Sequence, residues 1–487
     1  MESKQVLSII NEVENSIPVQ TWNIEGMDIW PYVRFKLRSS LFVSESRIVK
    51  NKYYNLLYRY VLGMFRYLLT VFRQVFRSKH SDRCDYLFVE NGVHVAKHKD
   101  SFYYVRTDPV REKLEKKGMK CFTYVTGYKF NSPSFFSNEH IQYAMDIKYF
   151  LTKLLKKKRN LNIDGYELFE KFLKKKDIYD KSLSKENICK GVRDVLFYRD
   201  FFKKRLLKLK PKAVFVLCYY STYGYGLIKA CKELNIPLVD IQHGIQGDHH
   251  TSYSSFKKVP KNGYNTLPDI FYVWDEEDRK EISSWKNDAI KIFKGGNDYF
   301  NMWKQSGNEL VKSTKEGIQE RYSLSKYSKV ILFTVYPGGG HDDLIVKAIQ
   351  NSPKEWFWFV RHHPKSNTRS ENMKERIGEV KCGIAIDDLV SIPIFALIAL
   401  SDIHITDSSS TVIECAEMGV SSIVTTKEGR DFYKTQYEQK MLLFTTSVEE
   451  ILKNIKESKR KSVGEDNESE GTEKLIEIID HIYAHHN

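Results

Sequence analysis

The 487-residue chain is predicted to be α/β, built from two doubly wound parallel sheets. Three observations predict it. Short apolar runs alternate with segments of helical period, the strand–helix–strand rhythm of a parallel sheet. That rhythm breaks at the polar, charged stretch 299–327 and then resumes. The length also exceeds what one ordinary core holds, so two domains are expected, facing each other across a cleft.

The elements follow in order. Residues 1–50 contain TWNIEGMDIWPYVRFKL, in which two tryptophans bracket a Gly turn and Pro31 is suited to open a helix. The longest apolar-looking segment, residues 52–77, is interrupted by Arg59, Arg66 and Arg73, unlike the roughly 20 apolar residues of a spanning helix. At about 100° per residue, Lys52, Asn55, Arg59, Gly63, Arg66, Thr70, Arg73 and Arg77 share one stripe, opposite Leu57, Met64, Leu68, Phe72 and Val75. Such a basic amphipathic helix, rich in Tyr and Phe, suits an anionic membrane interface. The same pattern also serves a helix packed on its own domain with its arginines in water.

The run CDYLFVE (84–90) is the first strand, DPVREKLEKKG a capped helix and CFTYV (121–125) the next strand. Residues 140–212 are helical in period and basic, as in LLKKKR and FFKKRLLKLKPK; such runs are solvated helix faces, or a second basic surface beside the arginine helix. Strands at AVFVLCYY (213–220), IPLVDIQHG (236–244), DIFYVW (269–274) and KIFKGGND (291–298) complete the first series. The second runs through KVILFTVYPGGG (329–340), FWFVRHHP (357–364), CGIAID (382–387), DIHITDSSS (402–410) and SSIVT (421–425). A polar low-complexity stretch and the helix TEKLIEIIDHIYAHH end the sequence. The resulting scheme is an N-terminal segment 1–80, a domain 81–300, a linker 301–327, a domain 328–455 and a closing segment 456–487.

A net charge of +15, from 77 Lys plus Arg against 62 Asp plus Glu, calls for acidic partners. No zinc-finger, helix-turn-helix or aromatic RNA-binding signature is present, so nucleic acid is not expected among them. Seven cysteines, an odd number without a C-x-x-C pair, read as reduced core residues. The N-terminus MESKQVLSIINEVENS lacks the basic flank and apolar stretch of a signal peptide, which predicts a cytoplasmic protein.

In doubly wound sheets ligands bind at the carboxyl ends of the strands, and the chemistry collects there. Arg361, ending a strand, carries a permanent fork for phosphate oxygens, and His363 donates to a phosphate or shuttles a proton before Pro364 fixes the chain. Ser408, Ser409, Ser410 and Thr411 present hydroxyls and backbone N–H groups at a helix start, against the simpler reading of a single N-cap. Glu414, one turn on, reaches a ribose hydroxyl or merely favours the helix dipole. Gly338, Gly339 and Gly340 let backbone approach a ligand, without the P-loop pattern. In the first half, QHGIQGDHH puts His243 at a strand end as a candidate general base, with Asp248 as an orienting or alternative carboxylate. Adjacent histidines in a polar loop rarely converge on one ion, so no metal is expected.

Together RHHP, TDSSST, QHG and PDIFYVW with KGGND resemble bacterial GT-B transferases of surface polysaccharide assembly. The patterns are similar to those of CDP-glycerol glycerophosphotransferases, capsule Kdo transferases and polysialyltransferases, over roughly residues 210–430. The resemblance implies two Rossmann-like domains and a metal-independent transferase with no cofactor beyond its donor. Arg361, His363, Ser409 and Ser410 would bind the phosphates of a nucleotide-sugar donor, CMP- or CDP-linked, and His243 would be the base. The acceptor would be a growing polysaccharide or polyprenyl-linked chain at the inner face of the cytoplasmic membrane, within a polysaccharide assembly complex. The acidic base motif of the polysialyltransferases is not evident, which counts against sialic acid transfer. A sugar-nucleotide epimerase of the same architecture and a non-catalytic assembly component are the alternatives.

Overall fold

The computed structural model describes residues 3–42, 83–98, 101–127, 134, 136, 138–155, 161–244, 246, 250–305, 307–335, 342–362, 370–386, 389–407, 409–462 and 471–486. The expected amphipathic helix 52–77, with Arg59, Arg66, Arg73 and Arg77, lies outside them. The chain forms two compact units: Met1–His94 with Tyr104–Asp298 and Glu468–Asn487, and Val95–Tyr103 with Tyr299–Asn467.

The first unit holds a seven-stranded sheet of β1 (Tyr86–Glu90), β2 (Cys121–Val125), β3 (Asn138–His140), β4 (Ala213–Leu217), β5 (Leu238–Ile241), β6 (Ile270–Val273) and β7 (Lys291–Lys294). All neighbours are parallel, in the order β7-β6-β5-β4-β1-β2-β3. The chain starts at the centre, winds to one edge and returns to wind to the other, so the order reverses between β1 and β4. Every residue of β1, β4, β5 and β6 is buried, which is why these strands read as apolar runs without alternation.

The N-terminal residues are part of this unit's core. Val6, Ile10 and Val13 of helix Ser3–Ser16 pack with Val33 and Leu37 of helix Trp30–Phe42 in the cluster that includes Leu87 and Val214. Trp22, Trp30 and Phe169 meet edge to face at 5.5–6.5 Å. At the centre is a buried ion pair, each side chain 1% exposed: Glu14 Oε1 accepts from Arg34 Nε and from Trp30 Nε1, both at 2.8 Å. Arg34 also donates to the carbonyls of Ser254 and Ser255, and Glu14 Oε2 accepts the Lys257 N–H at 2.7 Å. The two helices thereby grip the loop that follows β5.

The second unit holds β8 (Lys329–Val335), β9 (Trp356–His362), β10 (Gly383–Ala385), β11 (Ile403–Thr406), β12 (Ser421–Val424) and β13 (Leu442–Phe444). They are parallel in the order β10-β9-β8-β11-β12-β13, reversing between β8 and β11. The doubly wound pair of sheets expected from the sequence is therefore present.

Three details of the organisation go beyond the sequence reading. The stretch assigned as a linker is helical at Asp298–Lys304 and Glu309–Arg321. Tyr299, Phe300, Met302, Trp303, Val311 and Ile318 are buried there, and the charged composition belongs to the solvent faces. The closing helix Thr472–His486 packs Leu475, Ile479 and Ile482 against Tyr86, Phe88 and Val110 of the first unit. A hairpin of Val95–His98 and Ser101–Tyr104, absent from the sequence reading, contributes Val95–Tyr103 to the second unit. His98 anchors it through Thr314 Oγ1 at 2.9 Å and the Tyr299 hydroxyl at 3.1 Å. None of the described helices is long and apolar enough to cross a membrane.

Arg34→Met, which strands a buried carboxylate, is expected to cost about 3–5 kcal/mol, read as a fall in the urea midpoint of the full chain. A loss below about 1 kcal/mol, the scale of a surface pair, would contradict the anchoring role of the ion pair.

Candidate functional site

In the second unit Thr334 of β8 pairs with Arg361 of β9 on one side and with Thr406 of β11 on the other. The segments that leave these three neighbouring strands carry the glycines, the His-Pro and the serines. They flank the reversal of strand order, where a doubly wound sheet opens a crevice.

The residues described here do different jobs. Arg361 Nη1 donates to the carbonyls of Leu389 (2.6 Å) and Ile392, and Nη2 to that of Val390 (3.3 Å). The fork that the sequence offers to a phosphate is turned onto backbone and holds the 389–392 turn; burial lowers its pKa to about 10. Thr406 Oγ1 donates to the Thr334 carbonyl and accepts the Ser409 N–H at 3.2 Å. Ser409 Oγ and Thr411 Oγ1 lie 3.0 Å apart. Ser410, at the N-cap of helix Thr411–Glu417, is exposed and makes no side-chain cap bond, so capping does not account for it. Glu414 is half-buried in the first turn of that helix. Asp407 is structural: its carboxylate accepts from Thr425 Oγ1 at 3.0 Å and its carbonyl from Thr426 Oγ1 at 2.9 Å. A Cβ at Gly429 would overlap that carbonyl.

In the first unit His243 follows β5, beside the strands that flank the reversal. Its Nε2 lies 3.1 Å from both Cys218 Sγ and the Tyr220 hydroxyl. Both partners keep their protons at neutral pH, because burial raises the Cys218 thiol to about 12 and the Tyr220 phenol still higher. The rings of His94 and His243 are 5.9 Å apart, and His250 stacks obliquely on Tyr220 at 5.3 Å. Burial first, then His94, His250 and Arg106, lower the His243 pKa to about 4. The imidazole is thus neutral at pH 7, the form a general base requires, with Nε2 shared between a thiol and a phenol.

Two buried carboxyls shape this corner. Asp240 accepts the Tyr219 N–H at 3.1 Å and the Tyr253 hydroxyl at 2.8 Å, and burial raises its pKa to about 7. Glu90, also raised to about 7 by burial, accepts from the Asn91 and Gly92 N–H groups and from Thr107 Oγ1. Between them Cys218 adopts φ +57°, a left-handed conformation that costs a non-glycine residue energy and collects at functional sites. In the KGGND motif, Asp298 accepts from Lys113 and Tyr272, and a Cβ at Gly295 would overlap the Tyr272 ring. That motif is a packing device of the first unit.

Asp248, His363, Ser408, Gly338, Gly339 and Gly340 lie outside the described residues. Sequence reasoning missed Cys218, Tyr220, His94 and Arg106. The strand-end rule applied to β1 and β4 would have flagged Glu90–Gly92 and Cys218–Tyr220, because these two strands flank the reversal.

No protein-family model matches the chain, and no curated protein is similar to it in sequence. Among solved structures it is similar to UDP-GlcNAc 2-epimerase from Neisseria meningitidis, at 12% identity and TM-score 0.43, over 81% of this chain and 99% of that one. It is also similar to the wall teichoic acid polymerase TagF, at 13% identity and TM-score 0.40, over 87% and 93%. A third is the N-terminal domain of Candida albicans trehalose-6-phosphate phosphatase, at 10% identity and TM-score 0.38, over 84% and 94%.

His243 is expected to titrate near pH 4 in ring ¹⁵N NMR; a midpoint at or above the ordinary value near 6.5 would contradict the buried, neutral imidazole. His94, His140 and His250 are likewise lowered to about 4. The unfolded chain then binds protons that the folded one refuses. These histidines should therefore withdraw stability as the pH falls from about 6.5 toward 4, seen as a declining thermal midpoint, while Glu90 and Asp240, raised to about 7, temper the decline because they take up protons on folding over the same range.

Proposed function

We propose that the chain is a metal-independent glycosyltransferase. It moves a sugar or glycerol phosphate from a nucleotide-activated donor, CMP- or CDP-linked, to a growing surface polysaccharide or lipid-linked acceptor at the inner face of the cytoplasmic membrane. The observation that carries this reading is the row Arg361, Thr334, Thr406 at the carboxyl ends of β9, β8 and β11. It brings the start of the His-Pro, glycine and serine segments together at one strand-order reversal.

In this reading Ser409, Ser410 and Thr411 bind donor phosphate, with His363, Ser408 and the backbone of Gly338, Gly339 and Gly340 completing the set. Arg361 acts one step back, fixing the 389–392 turn beside them. Hydroxyl and N–H donors aimed at the phosphate stabilise the charge that grows on it as the donor bond breaks. His243, neutral and facing Tyr220, takes the proton of the acceptor hydroxyl. Asp248 orients the acceptor or the imidazole.

Two variants separate these roles. Thr411→Val should weaken CMP or CDP binding about 10- to 100-fold, the effect of losing one hydrogen bond to a charged group, read by calorimetry. His243→Ala should leave that binding intact and lower transfer about 10²- to 10⁴-fold. Absence of any nucleotide binding, or conversion of a sugar nucleotide to its epimer without acceptor, would overturn the transferase assignment.

A further inference from the structure

The two ring nitrogens of His243 have different surroundings. Nε2 lies 3.1 Å from the Tyr220 hydroxyl and 3.1 Å from Cys218 Sγ. Nδ1 is buried without a side-chain partner, and the Ile241 carbonyl favours a proton on the ring. A carbonyl only accepts, so the proton of the neutral imidazole belongs on Nδ1 and the lone pair on Nε2. Among the described residues, the phenol and the thiol are the groups bonded to that lone pair. The phenol is the better conduit of the two, because its oxygen accepts one hydrogen bond while donating another, whereas a thiol does both weakly.

The turn that carries Tyr220 fixes where its hydroxyl lies. β4 ends at Leu217, Cys218 turns left-handed, and the Ser221 N–H closes on the Cys218 carbonyl at 3.0 Å before helix Thr222–Glu233 begins. The Tyr220 ring is clamped by Phe35 at 4.9 Å, His250 at 5.3 Å, Tyr219 at 5.6 Å and Tyr253 at 5.8 Å. None of these ring contacts uses the hydroxyl, which is turned toward His243 and Cys218. Both Tyr220 and His243 are half-buried. Burial first, then Cys218 and Asp240, push the phenol up, with Arg38 opposing. It therefore keeps its own proton at neutral pH and is no base by itself.

We propose that Tyr220 is a catalytic residue that relays the acceptor's proton to His243. The acceptor hydroxyl gives its proton to the Tyr220 oxygen as the Tyr220 proton moves to His243 Nε2. The freed acceptor oxygen bonds to the transferred group, and the bond from that group to the nucleotide breaks with its electron pair on the nucleotide phosphate. Tyr220 ends neutral, and the imidazolium holds the one proton until it passes to water. The inference rests on the base role of His243 proposed above and changes how the proton arrives there.

Tyr220→Phe keeps the ring contacts and removes only the hydroxyl, so it is the variant to test in the full chain. In ring ¹⁵N NMR, wild-type His243 should carry its proton on Nδ1. The variant should raise the His243 pKa from about 4 by about 0.5 to 1 unit, since a donor to the neutral ring is lost. Transfer is followed from CDP-glycerol to glycerol phosphate oligomers and from CMP-Kdo to a Kdo-terminated oligosaccharide. Tyr220→Phe should lower kcat about 10²-fold or more and leave the donor KM within about twofold. In mixed light and heavy water the wild-type rate should bow, as two protons move together, and the variant's rate should fall linearly. A proton on Nε2, or a variant with kcat within about threefold of wild type, overturns the relay. If His243→Ala still abolishes transfer in that case, the base role stands without it. If the wild type transfers from neither donor, the base role falls and takes the relay with it.

Discussion

The ion pair of Glu14 and Arg34 holds together more than two helices. Both partners also bond the backbone of residues 254–257, and that loop carries Tyr253, whose hydroxyl is bound by Asp240. Asp240 in turn fixes the Tyr219 N–H in the turn that aims Cys218 and Tyr220 at His243. A charge pair in a dry interior offsets its desolvation only with additional hydrogen bonds to its other donors and acceptors. Meeting that demand is what couples the N-terminal helices to the strand ends.

The two units solve the same geometric problem with different electrostatics. Both sheets wind outward from a central strand and leave a gap where the direction changes. In the second unit the neighbouring strand ends are lined by hydroxyls on a fixed scaffold: Thr334, Thr406, Ser409 and Thr411 are linked in one hydrogen-bonded series. Its titratable member, His404, is buried neutral between Thr334 and Ser422, its pKa lowered to about 3. The first unit gathers imidazoles instead, kept uncharged by burial and by Arg106. One corner presents neutral hydroxyls, the other neutral imidazoles.

The sequence shows most of this architecture because buried parallel strands must be apolar throughout. β2 occupies Cys121–Val125, the very residues that its composition marks. The edge strand β3 is the tripeptide Asn-Glu-His, paired on one side only, and carries no apolar signal. Helices Asp298–Lys304 and Glu309–Arg321 hide behind their charged outer faces. The run AVFVLCYY reads as one strand, yet β4 stops at Leu217 and Cys218 turns left-handed, so Tyr220 faces a histidine 23 residues away. For Arg361 the residue type and strand end are legible, whereas its reach to carbonyls 28 to 31 residues later depends on where another turn packs.

The closing helix Thr472–His486 gives the fold a temporal order. Its apolar face completes the first unit beside β1, yet the whole of Tyr299–Asn467 is synthesised before it. The hairpin Val95–Tyr103 has the opposite history, made early and used by the later unit. On the ribosome, then, the first unit spends the synthesis of nearly the entire second unit with Tyr86, Phe88 and Val110 lacking the packing of Leu475, Ile479 and Ile482. Neither half is a contiguous piece of chain, and each is finished by a segment translated with the other.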